Sequence, residues 1–69
     1  MEARMKVEKI IIRAVNGEEY EYQNAIISED VKSGVLGVKV GEFIAIFIRK
    51  NIIMIELYGI MEVNDEETN

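Results

Sequence analysis

Apolar and polar side chains alternate with a period of two along most of this chain, and the breaks in that alternation say as much as the alternation itself. From Met5 to Val15 the pattern predicts a first strand, with Ile10, Ile12 and Ala14 on one face and Ile11, Arg13 and Val15 on the other. Val7 falls on the face of Arg13, whereas Lys6 and Glu8 fall on the face of Ile10, so the pairing is expected to begin, bend or bulge near Lys9. Asn16-Gly17 then separates two strand-like runs, which predicts a hairpin with a type I′ turn, the turn that needs positive φ at both central residues.

The second strand, Glu18 to Ile27, opens with Tyr20 and Tyr22 on one side and Glu19, Glu21 and Gln23 on the other. Ala25 and Ile27 have the opposite parity to the tyrosines, which places a bend or bulge near Asn24. Ser28 to Gly34 carries the signals of one short helical turn near 28–33: Ser28 as its cap, Glu29 and Asp30 at its start and Gly34 at its end. Leu36, Val38 and Val40 alternate with Gly37 and Lys39 in a third strand, and Gly41-Glu42 makes the next tight turn. Phe43 to Ile48 and Ile52 to Tyr58 read as two further strands, closed by Gly59. Arg49-Lys50-Asn51 between them fits either a tight hairpin or a single 3₁₀ turn. The expectation is an all-β fold, a small five-stranded antiparallel barrel or strongly curved sheet, in a single domain over residues 1–61. Residues 62–69 contain one apolar side chain and are expected to form an acidic disordered tail.

This layout resembles the SH3-like and Sm-like small barrels, in which a short 3₁₀ turn commonly precedes the last strand. Ile48-Arg49-Lys50-Asn51-Ile52 is similar to the Ile-Arg-Gly-Asn segment at that place in Sm-like proteins. Lys50 stands where the segment has its glycine, the second strand has no Gly at its bend, and Ser28-Glu29-Asp30 does not reproduce the Asp-containing base-binding loop. The resemblance is therefore one of layout, and it does not assign the chain to that family.

Composition agrees with strands. Ile occurs 12 times and Val 7 times against two Leu and four Ala, the reverse of what helices prefer. With 49% hydrophobic and 30% charged residues the chain can form a packed core, although a domain of 69 residues buries only about 60% of the surface its unfolded form exposes. His, Cys, Pro and Trp are absent, which excludes Ser-His-Asp and Cys-His nucleophile pairs, His- or Cys-ligated metals and disulfides. The longest apolar run has six residues, far short of the about 18 to 20 that cross a bilayer, and no signal-peptide pattern opens the chain. A cytoplasmic protein with no membrane partner is expected, and the Lys, Glu and Ile enrichment leans toward a thermophile. Glu62, Asp65, Glu66 and Glu67 supply four of the five net negative charges, so the body of the chain is close to neutral.

The two double-sided strands carry the functional expectation. A strand of a monomeric antiparallel sheet is usually apolar inside and polar outside. Here Phe43, Ala45 and Phe47 lie on one face and Ile44, Ile46 and Ile48 on the other, while Ile52, Met54 and Tyr58 share the second face of the last strand with Glu56 alone among charged groups. These nine apolar residues form a candidate interface of a homo-oligomer, which would add the burial that so short a chain lacks.

The remaining candidates are weaker. Glu29 and Asp30 could touch one hard cation but do not make a calcium loop, and they fit solvated acids at the start of a helical turn. Glu42 is a further carboxylate, in a turn. Glu56 is embedded in an apolar run and reads as an outward gatekeeper or as the partner of Arg13 or Arg49. Tyr20 and Tyr22 could stack bases but more simply form a core edge. Arg13, Lys39, Arg49 and Lys50 could contact phosphates without clustering in sequence. No catalytic, cofactor-binding or metal-binding residue is assigned. The favoured reading is a non-catalytic, self-associating module for interaction or assembly. The alternative is an Sm-like or OB-like oligomer that binds RNA or single-stranded nucleic acid, with Arg49 and Lys50 around a pore.

Overall fold

The structure, a computed structural model, describes residues 3–61. The expected tail over 62–69 lies outside the described residues. Five strands follow one another: β1 (Ala3–Ala14), β2 (Glu19–Asp30), β3 (Val35–Val40), β4 (Phe43–Ile48) and β5 (Ile52–Met61), with a 3₁₀ turn at Arg49–Asn51. They form one antiparallel sheet in the order β4-β3-β2-β1-β5. The fold is thus all-β, and β4 and β5, adjacent in sequence, lie at opposite edges of the sheet. That separation selects the 3₁₀ turn over the hairpin. Its first N–H donates to the Gly34 carbonyl at 2.8 Å and its last carbonyl accepts from Val15 at 2.9 Å, so the turn is pinned at both ends.

The first hairpin forms where Asn16-Gly17 places it, but with a different turn. Gly17 donates to the Ala14 carbonyl at 2.9 Å and Ala14 to the Glu18 carbonyl at 2.8 Å. The loop therefore holds three residues, and Gly17 alone takes the positive φ, 92°. A three-residue loop of this kind needs one left-handed residue, where type I′ needs two. Asn16 serves by its side chain, accepting the Glu18 N–H at 3.0 Å.

The helical turn expected near 28–33 does not form. Ser28 and Glu29 belong to β2 because they are paired on both sides, Ser28 standing opposite Arg4 and Gly37, and Asp30 continues the strand opposite Val35 of β3. Two ladders outweigh one short helical turn. The capping chemistry moves to Asp30, whose Oδ1 accepts the Lys32 N–H at 3.2 Å and whose carbonyl accepts the Gly34 N–H at 2.9 Å, closing a turn over residues 31–34.

The parity breaks near Lys9 and Asn24 are one feature. Val7 and Ile10 are both fully buried although three residues apart, and Tyr22 and Ala25 both reach the core across the same interval. Lys9 stands opposite Gln23 and Tyr58, and Val7 opposite Ala25 and Ile60. Between these rows lie Glu8, Asn24 and Gly59. Three neighbouring strands therefore slip by one position in step, and their register is the same before and after. Asn24 (φ 54°) and Gly59 (φ 66°) provide the left-handed backbone for the slip. Gly59 hence lies inside β5 and does not end it. A separate bulge places Ile53 as an extra residue between the rows of Arg13 and Ala14.

One face of the sheet carries the core: Val7, Ile10, Ile12, Ala25, Ile27, Leu36 and Val38 are buried, with side chains from β4 and β5 packed against them. β2 pairs with β3 only over its second half. β4 closes over the first half, setting Phe47 edge-on to Tyr20 at 5.3 Å and Phe43 beside Tyr22 at 5.8 Å. The sheet is curled, but no backbone ladder joins β4 to β5 among the described residues.

Candidate functional site

Alternation along β4 decides which of its residues can meet another molecule. Val38 and Leu36 face the core and stand opposite Ala45 and Phe47, so those two also turn inward. Ile44, Ile46 and Ile48 then point outward and are 58%, 66% and 44% exposed. Beside them on the outer face, Gly37 stands opposite Ile46 and Val35 opposite Ile48. Lys39 stands opposite both Ile44 and Ile26. The result is an apolar strip along an edge strand, with a glycine at its middle that adds no side chain.

The nine residues expected as one interface are thus divided. Ile44, Ile46 and Ile48 form the strip. Ala45, Phe47 and Ile52 pack on the core, and Phe43 lies against Tyr22 while remaining half exposed. Met54 and Tyr58 lie on β5, at the other edge of the sheet. Tyr58 has its own partners: its hydroxyl donates to Glu56 Oε1 at 3.1 Å, and the Lys9 ammonium lies 4.7 Å from its ring. The contribution of Val35, Gly37 and Ile26 to the strip was missed in the sequence. The alternation of Leu36, Val38 and Val40 already puts Val35 and Gly37 on the other face, but only the register sets them against Ile48 and Ile46.

The polar candidates separate in the same way. Glu29 faces inward and Asp30 outward, because successive strand residues take opposite faces, so the two cannot share a cation. Glu29 pairs with Arg49 at 3.1 Å and Arg13 with Glu19 at 3.4 Å. Glu56 accepts from Tyr58 and stands opposite Ile11, and neither arginine considered for it is its partner. Lys39 and Lys50 are exposed, on β3 and on the 3₁₀ turn. The Tyr20 and Tyr22 rings are engaged with Phe43 and Phe47, as a core edge would have them. The Tyr20 hydroxyl donates to the Glu18 carboxylate, and this bond raises its pKa above the usual tyrosine value. The bond from Tyr58 to Glu56 acts in the same direction.

Two depressions mark the surface of the described residues. One, of about 240 Å³, has an apolar floor that includes Ile10, Leu36 and Leu57, with the Glu29–Arg49 pair on its rim. The other is a shallow hollow of about 550 Å³ over the slipped rows, lined by Glu8, Lys9, Gln23, Asn24, Tyr58 and Met61. Among the described residues no group of metal-ligating side chains converges, and no helix is long and apolar enough to cross a membrane. No protein-family model, curated protein or solved structure matches the chain.

Proposed function

We propose that this protein is a non-catalytic, self-associating module for interaction or assembly, built on a small SH3-like barrel left open between β4 and β5. The barrel reading is supported by the strand order, by the 3₁₀ turn before β5 and by the closure of β4 over the tyrosines of β2. The observation that carries the functional reading is the bare strip Ile44, Ile46 and Ile48 on an edge strand. Contiguous exposed apolar surface rimmed by polar groups marks contact sites, and on an unpaired edge it would otherwise invite aggregation. Coverage by another copy also adds burial to a domain of marginal size.

Sedimentation velocity over a dilution series tests this reading. A concentration-dependent oligomer at micromolar protein is the expected result, and a stable monomer throughout that range defeats it. Nucleic-acid binding has less support, because Arg13 and Arg49 are already ion-paired and the four basic candidates stand on three different elements. Copurifying nucleic acid lost steeply with salt would reverse that preference.

A further inference from the structure

Val40 stands opposite Phe43, so the turn from β3 to β4 has two residues, Gly41 and Glu42. A two-residue turn closes on a pair that exchanges backbone hydrogen bonds, and the bonding direction then alternates along the strand. Phe43, Ala45 and Phe47 therefore direct N–H and C=O at β3. Ile44 and Ile46 direct theirs at the edge that is free among the described residues, and Ile48 directs its N–H there while its carbonyl begins the 3₁₀ turn. Among the described residues, the β4 positions whose backbone faces the edge are thus those with bare side chains. From Phe43 to Ile48 there is no charge and no proline, the usual devices that keep an edge strand from pairing.

We infer that this edge pairs with the same edge of a second copy, antiparallel, across a two-fold axis at Ile46. This rests on the self-association proposed above and specifies its geometry. Opposed residues of an antiparallel pair share a face, so outward isoleucines must meet outward isoleucines. With Ile46 opposite the partner's Ile46, Ile44 meets the partner's Ile48 and Ala45 meets the partner's Phe47. Just past the strand ends, the β3–β4 turn that carries Glu42 then lies beside the partner's 3₁₀ turn that carries Lys50. The two-fold axis repeats each of these contacts except that of Ile46, which lies on it, giving a continuous band of isoleucine closed at both ends by opposite charges. Other registers lose this match. A slide of two residues one way sets Glu42 against the partner's Ile48, and a slide of two the other way sets Lys50 against the partner's Ile44. A slide of one residue places outward side chains against inward ones. Charge and face together select one register.

Because the chain has no cysteine, each introduced thiol reports a single contact. Opposed residues in a hydrogen-bonded pair have Cα atoms about 5.5 Å apart, within disulfide range. Ile46→Cys should cross-link to itself on mild oxidation. Ile44→Cys should not, but should cross-link to Ile48→Cys when the two variants are mixed. Glu42→Lys alone and Lys50→Glu alone should each weaken the dimer by roughly tenfold, because two attractions become two repulsions. The double variant should recover the original affinity, and circular dichroism should show the same sheet in every variant. If the unmodified protein self-associates but Ile46→Cys fails to cross-link and the double variant fails to recover, this register is wrong and the self-association stands. If the unmodified protein is monomeric throughout, both readings fall.

Discussion

Ile11 and Ile46 are the same residue on the same outer face of one sheet, and they are covered very differently. Ile11 sits on the central strand β1, between Glu21 of β2 and Glu56 of β5, with Lys9 and Arg13 two positions away along its own strand. Four charged side chains surround it. Their aliphatic stems cover apolar surface while their heads stay in water, and Ile11 is half-buried. Ile46 has Ile44 and Ile48 along its strand, a glycine across and an open edge on its other side, and it is 66% exposed. A central strand that must face water has polar neighbours on both sides. An edge strand without them retains a surface that only another apolar surface covers well. The difference is why the contact surface is proposed on β4 and not on the outer face of β1.

The largest effect expected tests the distinction between faces. Ile10→Ala empties a fully buried site and should cost about 2–5 kcal/mol in chemical denaturation, whereas Ile11→Ala next to it should cost less than about 1 kcal/mol. Equal losses would mean that Ile11 is as deeply packed as its neighbour. Next in size, Ile46→Lys should abolish self-association, a loss of about a hundredfold or more, with little change in the stability of the monomer. Ile11→Lys should leave the oligomer unchanged in sedimentation. If Ile11→Lys dissociates the protein and Ile46→Lys does not, the contact surface lies on the other part of the outer face.

A smaller effect concerns the slip that sets the rows beside Ile11. Gly59→Ala puts a Cβ on a left-handed residue and against the Glu8 side chain, and should destabilise by about 1–2 kcal/mol. Glu8→Ala in the same background would relieve the contact but not the backbone strain, and full recovery would contradict the assigned φ.

The smallest effect is on pH dependence. Tyr58 donates to Glu56, which stands opposite Ile11, and its raised pKa means that the protonated phenol is favoured in the folded state. That contribution is fully present below the ordinary tyrosine pKa of about 10 and is lost as pH rises through the higher folded value. Glu56→Gln should bring the Tyr58 titration back toward its ordinary value in an ultraviolet titration. The Ile11 amide should then exchange faster as the cover loosens. An unchanged titration would show that Glu56 does not hold the phenol.

Parity made much of this architecture legible. The breaks near Lys9 and Asn24 follow from where alternation fails, because a strand has only two faces, while the bounds of β4 follow from an unbroken apolar run and the first hairpin from Asn16-Gly17. Turn type was less legible, since Asn-Gly serves both a two-residue loop and an Asx-stabilised loop of three. Ser28, Glu29, Asp30 and Gly34 misled for a similar reason: the residues that cap a helix also make turns, and nothing local announces that both sides of Ser28 will be paired. The candidate interface was half legible. The two apolar faces of β4 could be read directly, but which of them the core takes could not.

By itself, then, the sequence determined the strands, their breaks and the surplus of apolar surface on the last two, because these depend on periodicity and composition. Only the tertiary structure decided that β4 and β5 lie at opposite edges, that Glu8, Asn24 and Gly59 slip together, and that Ile44, Ile46 and Ile48 take the outer face of β4. Those facts depend on which strand stands next to which, and long-range pairing is set by how the whole sheet buries one face.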